Sequence, residues 1–252
     1  ATERIFLPLI KLSMLPEMVD MVMPDEGVFH NIVLVKIRKT YPGQAQKVMN
    51  ALWGAGQMMF TKMMIVVDGV RELTARGHTV LVVTDADIDL SDSQAVTRLI
   101  CSMAHPVEDV IFNRGPVDIL DHSSSRFALG SKLGIDATVK LAGEKVYDEN
   151  QGDGFNRSHP ALVGLTINIA LIDEKLPVLI IGIDKSLVNQ RALHQQLFET
   201  GALQGVNWVV YVDPEAVNIR LQDITWLVAN NIDPLRDCFY AKPNLNIDVP
   251  PM

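Results

Sequence analysis

"VYVDPEAVNIRLQDITWLVANNIDPLRDCFY" covers residues 210–240. It begins as a β-branched and aromatic run, turns at Asp213 and Pro214, and continues as a helix that must stop before Pro234. Residues 82–112, "VVTDADIDLSDSQAVTRLICSMAHPVEDVIF", follow the same plan at a numbering offset of 128. Asp85 falls on Asp213, Leu99 on Leu227, Pro106 on Pro234 and Asp109 on Asp237. An ungapped match of strand-end Asp, helix-end Pro and following Asp points to an internal duplication.

Working outward, "NIVLVKI" (31–37), "MMIVVD" (63–68), "TVLVVTD" (79–85), "LPVLIIGID" (176–184) and "NWVVYVD" (207–213) read as buried strands. Between them, 45–57 carries Val48, Met49, Leu52 and Trp53 at helical spacing, and 91–106 carries Val96, Leu99, Ile100 and Met103. The 91–106 helix opens on a Ser or Asp cap, and 189–202 is a helix that stops at Gly201. Residues 69–78 read as a short helix or turn. Alternation of this kind predicts an α/β fold of two related strand–helix units, with layered sheets and helices. The units are expected at 1–145 and 156–252, joined by a polar linker at 146–155.

Composition narrows the function. The chain has 252 residues, 48% apolar and 21% charged, which is long enough to bury a core without disulfides or metals. A net charge of -8 argues against nucleic-acid and anionic-membrane partners. Cys101 and Cys238 stand far apart in apolar surroundings, so a reducing, cytoplasmic setting is expected. No apolar run reaches the roughly 18–20 residues of a membrane span, so no integral membrane contact is expected.

Chemistry-bearing patterns are sparse. "LGSKLGID" (129–136) brackets Ser131 and Lys132 with glycines, and such a loop can hold an anion on Lys132; turn glycines beside a solvated lysine are the commoner use. No phosphate-loop or dinucleotide fingerprint occurs. Asp85 and Asp213 sit at strand ends, where ligands bind in α/β sheets and where capping Asp residues are also common. Asp121, His122 and Ser123–Ser125 invite a triad, but neighbours in an extended chain point to opposite faces. "YPGQ" can aim a helix N-terminus at an anion. The residues alone stop at a duplicated α/β protein without a self-sufficient active site.

Several segments in order, however, resemble the UbiD-type decarboxylases, which include the 3-octaprenyl-4-hydroxybenzoate carboxy-lyases. They are "FLPLIKLSMLPEMVDMVMPDEGVFHN" (6–31), "YPGQAQKVMNALWGAGQMMFTKMMIVVD" (41–68), "DADIDLSD" (85–92), "GPVDILDHSS" (115–124) and "GSKLGIDAT" (130–138). The resemblance spans roughly residues 1–145 and concerns the family's C-terminal region. It implies a portion of a prenylated-FMN-dependent (de)carboxylase of aromatic or unsaturated acids, related to quinone formation. The family uses prenylated FMN with Mn2+ and K+, held by an upstream flavin-binding domain. None of these is expected on this chain alone, and no catalytic, metal or flavin residue carries over. Asp20, Glu26, Leu120 and His122 are the candidates implied to line the substrate cleft, against turn roles for each. A homo-oligomer is implied, and a stand-alone scaffold derived from the family is the alternative. One departure is an insertion at 69–85. The offset of 128 assigns the family's strand position to 79–85 rather than to 63–68.

Overall fold

A computed structural model describes residues 2–28, 31–68, 88–144, 154–241 and 244–248. The expected helix or turn at 69–78, the strand at 79–85 with Asp85, and most of the linker lie outside the described residues.

The first unit runs α1 (Thr2–Ser13), β1 (Met18–Val22), β2 (Ile32–Ile37), α2 (Gln44–Trp53), β3 (Met63–Asp68), α3 (Ser93–Met103), β4 (Val110–Pro116) and β5 (Leu129–Asp136). The second runs β6 (Thr166–Asn168), α4 (Ala170–Asp173), β7 (Val178–Gly182), α5 (Gln190–Glu199), β8 (Trp208–Val212), α6 (Leu221–Asn231), α7 (Pro234–Asp237), β9 (Cys238–Ala241) and β10 (Asn244–Asp248). The sheet orders are β1-β2-β3-β5-β4 and β6-β7-β8-β10-β9. Both have three parallel strands in the centre and an antiparallel strand at each edge.

The middle core joins one face of each sheet, through Ile32, Leu34, Ile65, Leu133, Val178, Ile180 and Val210, with Val96 of α3 and Ile224 and Val228 of α6. Val33, Val35 and Val66, on the other face of the first sheet, pack against Val48, Met49 and Leu52 of α2. Leu179, Val209 and Tyr211 do the same against Leu197 of α5. β2, β7 and β8 are buried along their whole length, as near-continuous apolar runs, interrupted in β2 by Lys36, require when both faces are covered.

Between α3 and the start of β4 the offset of 128 reappears in the geometry, and it is lost again at β5 and β10, which start 115 apart. α3 and α6 begin and end 128 apart, and the same bond closes each: His105 N–H donates to Asp109 Oδ2 at 2.8 Å, and Asp233 N–H to Asp237 Oδ2 at 2.7 Å. Before α3 the offset breaks. Met63–Asp68, not 79–85, fills the slot beside β2 that β8 fills beside β7, which corrects the strand assignment. The connection to the next helix runs 69–92 in one unit and 213–220 in the other, so matching backwards from α3 picks the wrong strand.

"LGSKLGID" is a strand, not a loop. Its Gly134 carries no side chain because α2 lies against it. A Cβ there would stand 2.5 Å from Met49 Sδ and 2.9 Å from Trp53 Cη2.

Candidate functional site

The connection 117–128 between β4 and β5 folds back over the start of β3. Asp118 Oδ1 accepts Leu120 N–H at 2.9 Å, and Asp118 O accepts Asp121 N–H at 3.0 Å, so two short turns fix the segment. They drive Asp121 inward. Its Oδ1 takes Lys62 Nζ at 2.9 Å, and both side chains are 1% exposed. Lys62 also donates to Ser123 Oγ at 3.1 Å, and that oxygen lies 2.8 Å from both Asp121 Oδ1 and Ile232 O. Burial pulls the Lys62 ammonium below its ordinary pKa, against the raising effect of the Asp121 charge. Asp121 Oδ2 is buried and has no hydrogen-bond partner among the described residues.

The second unit closes the site. Asn31 Nδ2 donates to Asn230 Oδ1 at 2.8 Å, and Asn230 Nδ2 donates to Glu26 O at 3.0 Å and Trp226 O at 2.8 Å. His122 Nε2 stands 3.3 Å from Asn231 Oδ1. A cavity of about 130 Å³ remains, lined by Asn31, Leu120, Asp121, His122, Trp226 and Asn230 among others.

The sequence candidates fall out as follows. Leu120, 63% exposed, and His122 line the cavity. Glu26 does not line it; its backbone carbonyl accepts a hydrogen bond from Asn230, which does. Asp20 does not line it; on β1 its Oδ1 accepts Met21 N–H at 2.8 Å. Lys132 is 1% exposed in β5, where its ammonium donates to Met59 O and, at 2.9 Å, to Thr61 O. Burial brings it down to about 8. It caps the 3-10 turn Gly56–Phe60 from within, so its ammonium is spent on carbonyls and not on an external anion. No triad forms: Ser123 bonds Asp121 and Lys62, while His122 turns to Asn231. The helix N-terminus at "YPGQ" does meet an anion, the chain's own Glu144, whose Oε1 accepts Gly43 N–H at 2.9 Å. Lys62, Asn31, Asn230 and Asn231 were missed. Their one sequence signal is polarity out of place: a lysine heading an apolar strand, and paired asparagines ending an apolar helix.

Among the described residues no group of three or more His, Cys, Asp or Glu could hold a metal ion. A cavity of about 130 Å³ is also below the roughly 300 Å³ where drug-sized pockets begin. This cavity thus fits neither the metal nor the flavin that the resemblance implies, and no step is derived through either. What the site can do is hold a small hydrogen-bond donor against Asp121, Asn230 and His122.

Fold and site together define an α/β protein of two like sheets with a polar pocket at their seam. The family model described as the 3-octaprenyl-4-hydroxybenzoate carboxy-lyase C-terminal domain matches residues 1–75 and 71–137, breaking where the insertion was read. The chain belongs to that family. An uncharacterized protein of Helicobacter pylori strain 26695 is 30% identical over 98% of this chain and 37% of its own length. One of Archaeoglobus fulgidus is 41% identical over 65% of the chain and 28% of its own length. The chain thus spans about a third of the curated relatives it matches. Among solved structures, the closed form of Sedimentibacter hydroxybenzoicus vanillic acid decarboxylase covers 56% of this chain and 26% of its own, at 25% identity and a TM-score of 0.44. The UbiD-class enzyme HmfF of Pelotomaculum thermopropionicum, in complex with FMN, covers 58% and 29%, at 21% identity and a TM-score of 0.43. Among the described residues no helix is long and apolar enough to cross a membrane.

Proposed function

We propose that this chain is the C-terminal portion of a UbiD-type decarboxylase of aromatic or α,β-unsaturated acids, tied to quinone formation. Prenylated FMN, with Mn2+ and K+, would sit in an upstream domain and would supply the electron sink for the carbanion that the departing CO₂ leaves behind. This portion lines the cleft and holds the assembly together. The observation that carries the reading is the family match together with its convergence: Val28 and Asn31 come to line one cavity with Asp118, Leu120, Asp121 and His122, and Lys62 pairs with Asp121. Asp20 and Lys132 serve the fold of this portion, Leu120 and His122 stand at the cleft, and Glu26 holds Asn230 there through its backbone carbonyl.

Self-association belongs to the same reading. α1 leaves Ile5, Leu9 and Leu12 exposed at 66%, 58% and 88%, a stripe at helical spacing that favours a covering partner. A stand-alone scaffold is the second reading.

The test is to express the parent reading frame, load it with prenylated FMN, manganese and potassium, and assay aromatic and cinnamic-type acids for CO₂ release. Activity of the parent that falls in His122→Ala is expected, with none from residues 1–252 alone. Turnover by these 252 residues alone, or a native start at Ala1 with no upstream domain in frame, would overturn the reading. A monomeric mass by light scattering at tens of micromolar would remove the oligomerising role.

A further inference from the structure

A second cavity, of about 380 Å³, opens at the other end of the same β4–β5 connection. Arg114 and Arg126 of the first unit and Leu235 and Arg236 of the second line it, with Leu129 and Ser131. Three arginines and one aspartate, Asp233, thus line one cavity in a protein whose net charge is -8. That carboxylate is already engaged, since both the hydroxyl and the N–H of Ser131 bond it. Arg236 is fixed by Asp237, Nε to Oδ1 and Nη2 to Oδ2 at 2.6 Å each, and by Ser123 O at 2.9 Å from Nη1. Arg114 and Arg126 have no side-chain hydrogen bond or ion pair among the described residues, and both are exposed.

Position adds to charge. Arg114 is the register partner of Ser131 across β4 and β5, so the two side chains share one sheet face. Arg126 is held by the bridge to Leu129, at a bend where Ala128 takes φ 54, a left-handed conformation that alanine seldom adopts. Arginine forks bind carboxylate and phosphate oxygens in pairs. The volume lies within the roughly 300–1,000 Å³ of small-molecule sites, more than one lone inorganic ion fills. Leu129 and Leu235 give it apolar walls.

We propose that this cavity binds a small organic or condensed polyanion, carrying two or more carboxylate or phosphate groups, through Arg114 and Arg126. The site straddles the seam, so an occupant also ties the two units together. The inference does not rest on the decarboxylase reading.

Titration calorimetry of the full chain with citrate and with pyrophosphate, at low and physiological salt, tests it. Submillimolar binding of at least one probe is expected, weakening with salt. Arg114→Ala/Arg126→Ala weakens it by about ten-fold or more, the size of one charge-assisted hydrogen bond. Arg114→Lys/Arg126→Lys keeps the charge, loses the fork and falls between, and it covers the case in which the alanine pair fails to fold. Arg157→Ala, whose native side chain pairs with Asp173 on the surface, leaves binding unchanged. No heat from either probe at millimolar concentration overturns the proposal, as does equal binding by the wild type and both double variants.

Discussion

His194 is fully buried on α5, edge-on to Tyr211 and Phe239, with Nδ1 2.9 Å from the Tyr211 hydroxyl and Nε2 without a partner among the described residues. Burial pushes the imidazole down to about 4. The unfolded chain, titrating near 6.5, takes up the proton first. Its stability contribution is therefore complete above pH 6.5 and is lost as pH falls towards 4, by roughly 3 kcal/mol. Urea midpoints of wild type and His194→Phe should converge between pH 7 and pH 4.5; parallel curves would exclude the histidine as the cause. The Lys62–Asp121 pair makes a different prediction. Asp121→Asn strands a buried ammonium and should cost about 3–5 kcal/mol, whereas Lys62→Met/Asp121→Leu removes both charges and should cost less than the single change. Chemical denaturation reads both, and a double variant worse than Asp121→Asn would mean that the pair is net stabilising. At this scale the sequence was only partly legible. Leu120 and His122 stood out because they lie in one short familiar segment. Lys62 and Asn230 did not, because their meaning comes from Asp121 and Asn31, which only folding brings near.

β2, β3, β7 and β8 were legible as strands because sheets covered on both faces select near-continuous apolar runs. The outer strands were not. β1 bears a bulge between Met18 and Asp20, which sends Met18 and Met21 to the same core and erases the alternation of two. β5 reads as a turn because of its glycines, yet Gly134 is there for α2. Gly134→Ala should cost about 1–3 kcal/mol, since the new methyl meets the flexible end of Met49 and the rigid ring of Trp53. In the Gly134→Ala/Met49→Ala pair the methyl finds room, so the combined loss should be smaller than the sum of the single losses. Strict additivity in denaturant melts would show that α2 does not crowd the strand.

The two units share a core, and that decides how the molecule should unfold. Ile32, Leu34 and Leu133 of one sheet and Val178, Ile180 and Val210 of the other belong to a single apolar cluster. Polar ties cross the same seam: Asn31 to Asn230, Ser123 to Ile232, Arg236 to Ser123. Neither sheet can shed its partner without exposing that cluster, so a single cooperative transition is expected. The three tryptophans allow a direct test, with buried Trp53 in the first unit and Trp208 and Trp226 in the second. Trp208→Phe/Trp226→Phe leaves a reporter only in the first unit, and Trp53→Phe leaves reporters only in the second. Within each variant, fluorescence and far-ultraviolet dichroism should give one midpoint. Adding Asn230→Ala, which unties Asn31 and the Glu26 carbonyl, should lower that midpoint in both backgrounds by the same free energy, about 1–3 kcal/mol. If it moves only the second-unit signal, the units unfold independently, and the pockets on the seam have no common rigid frame.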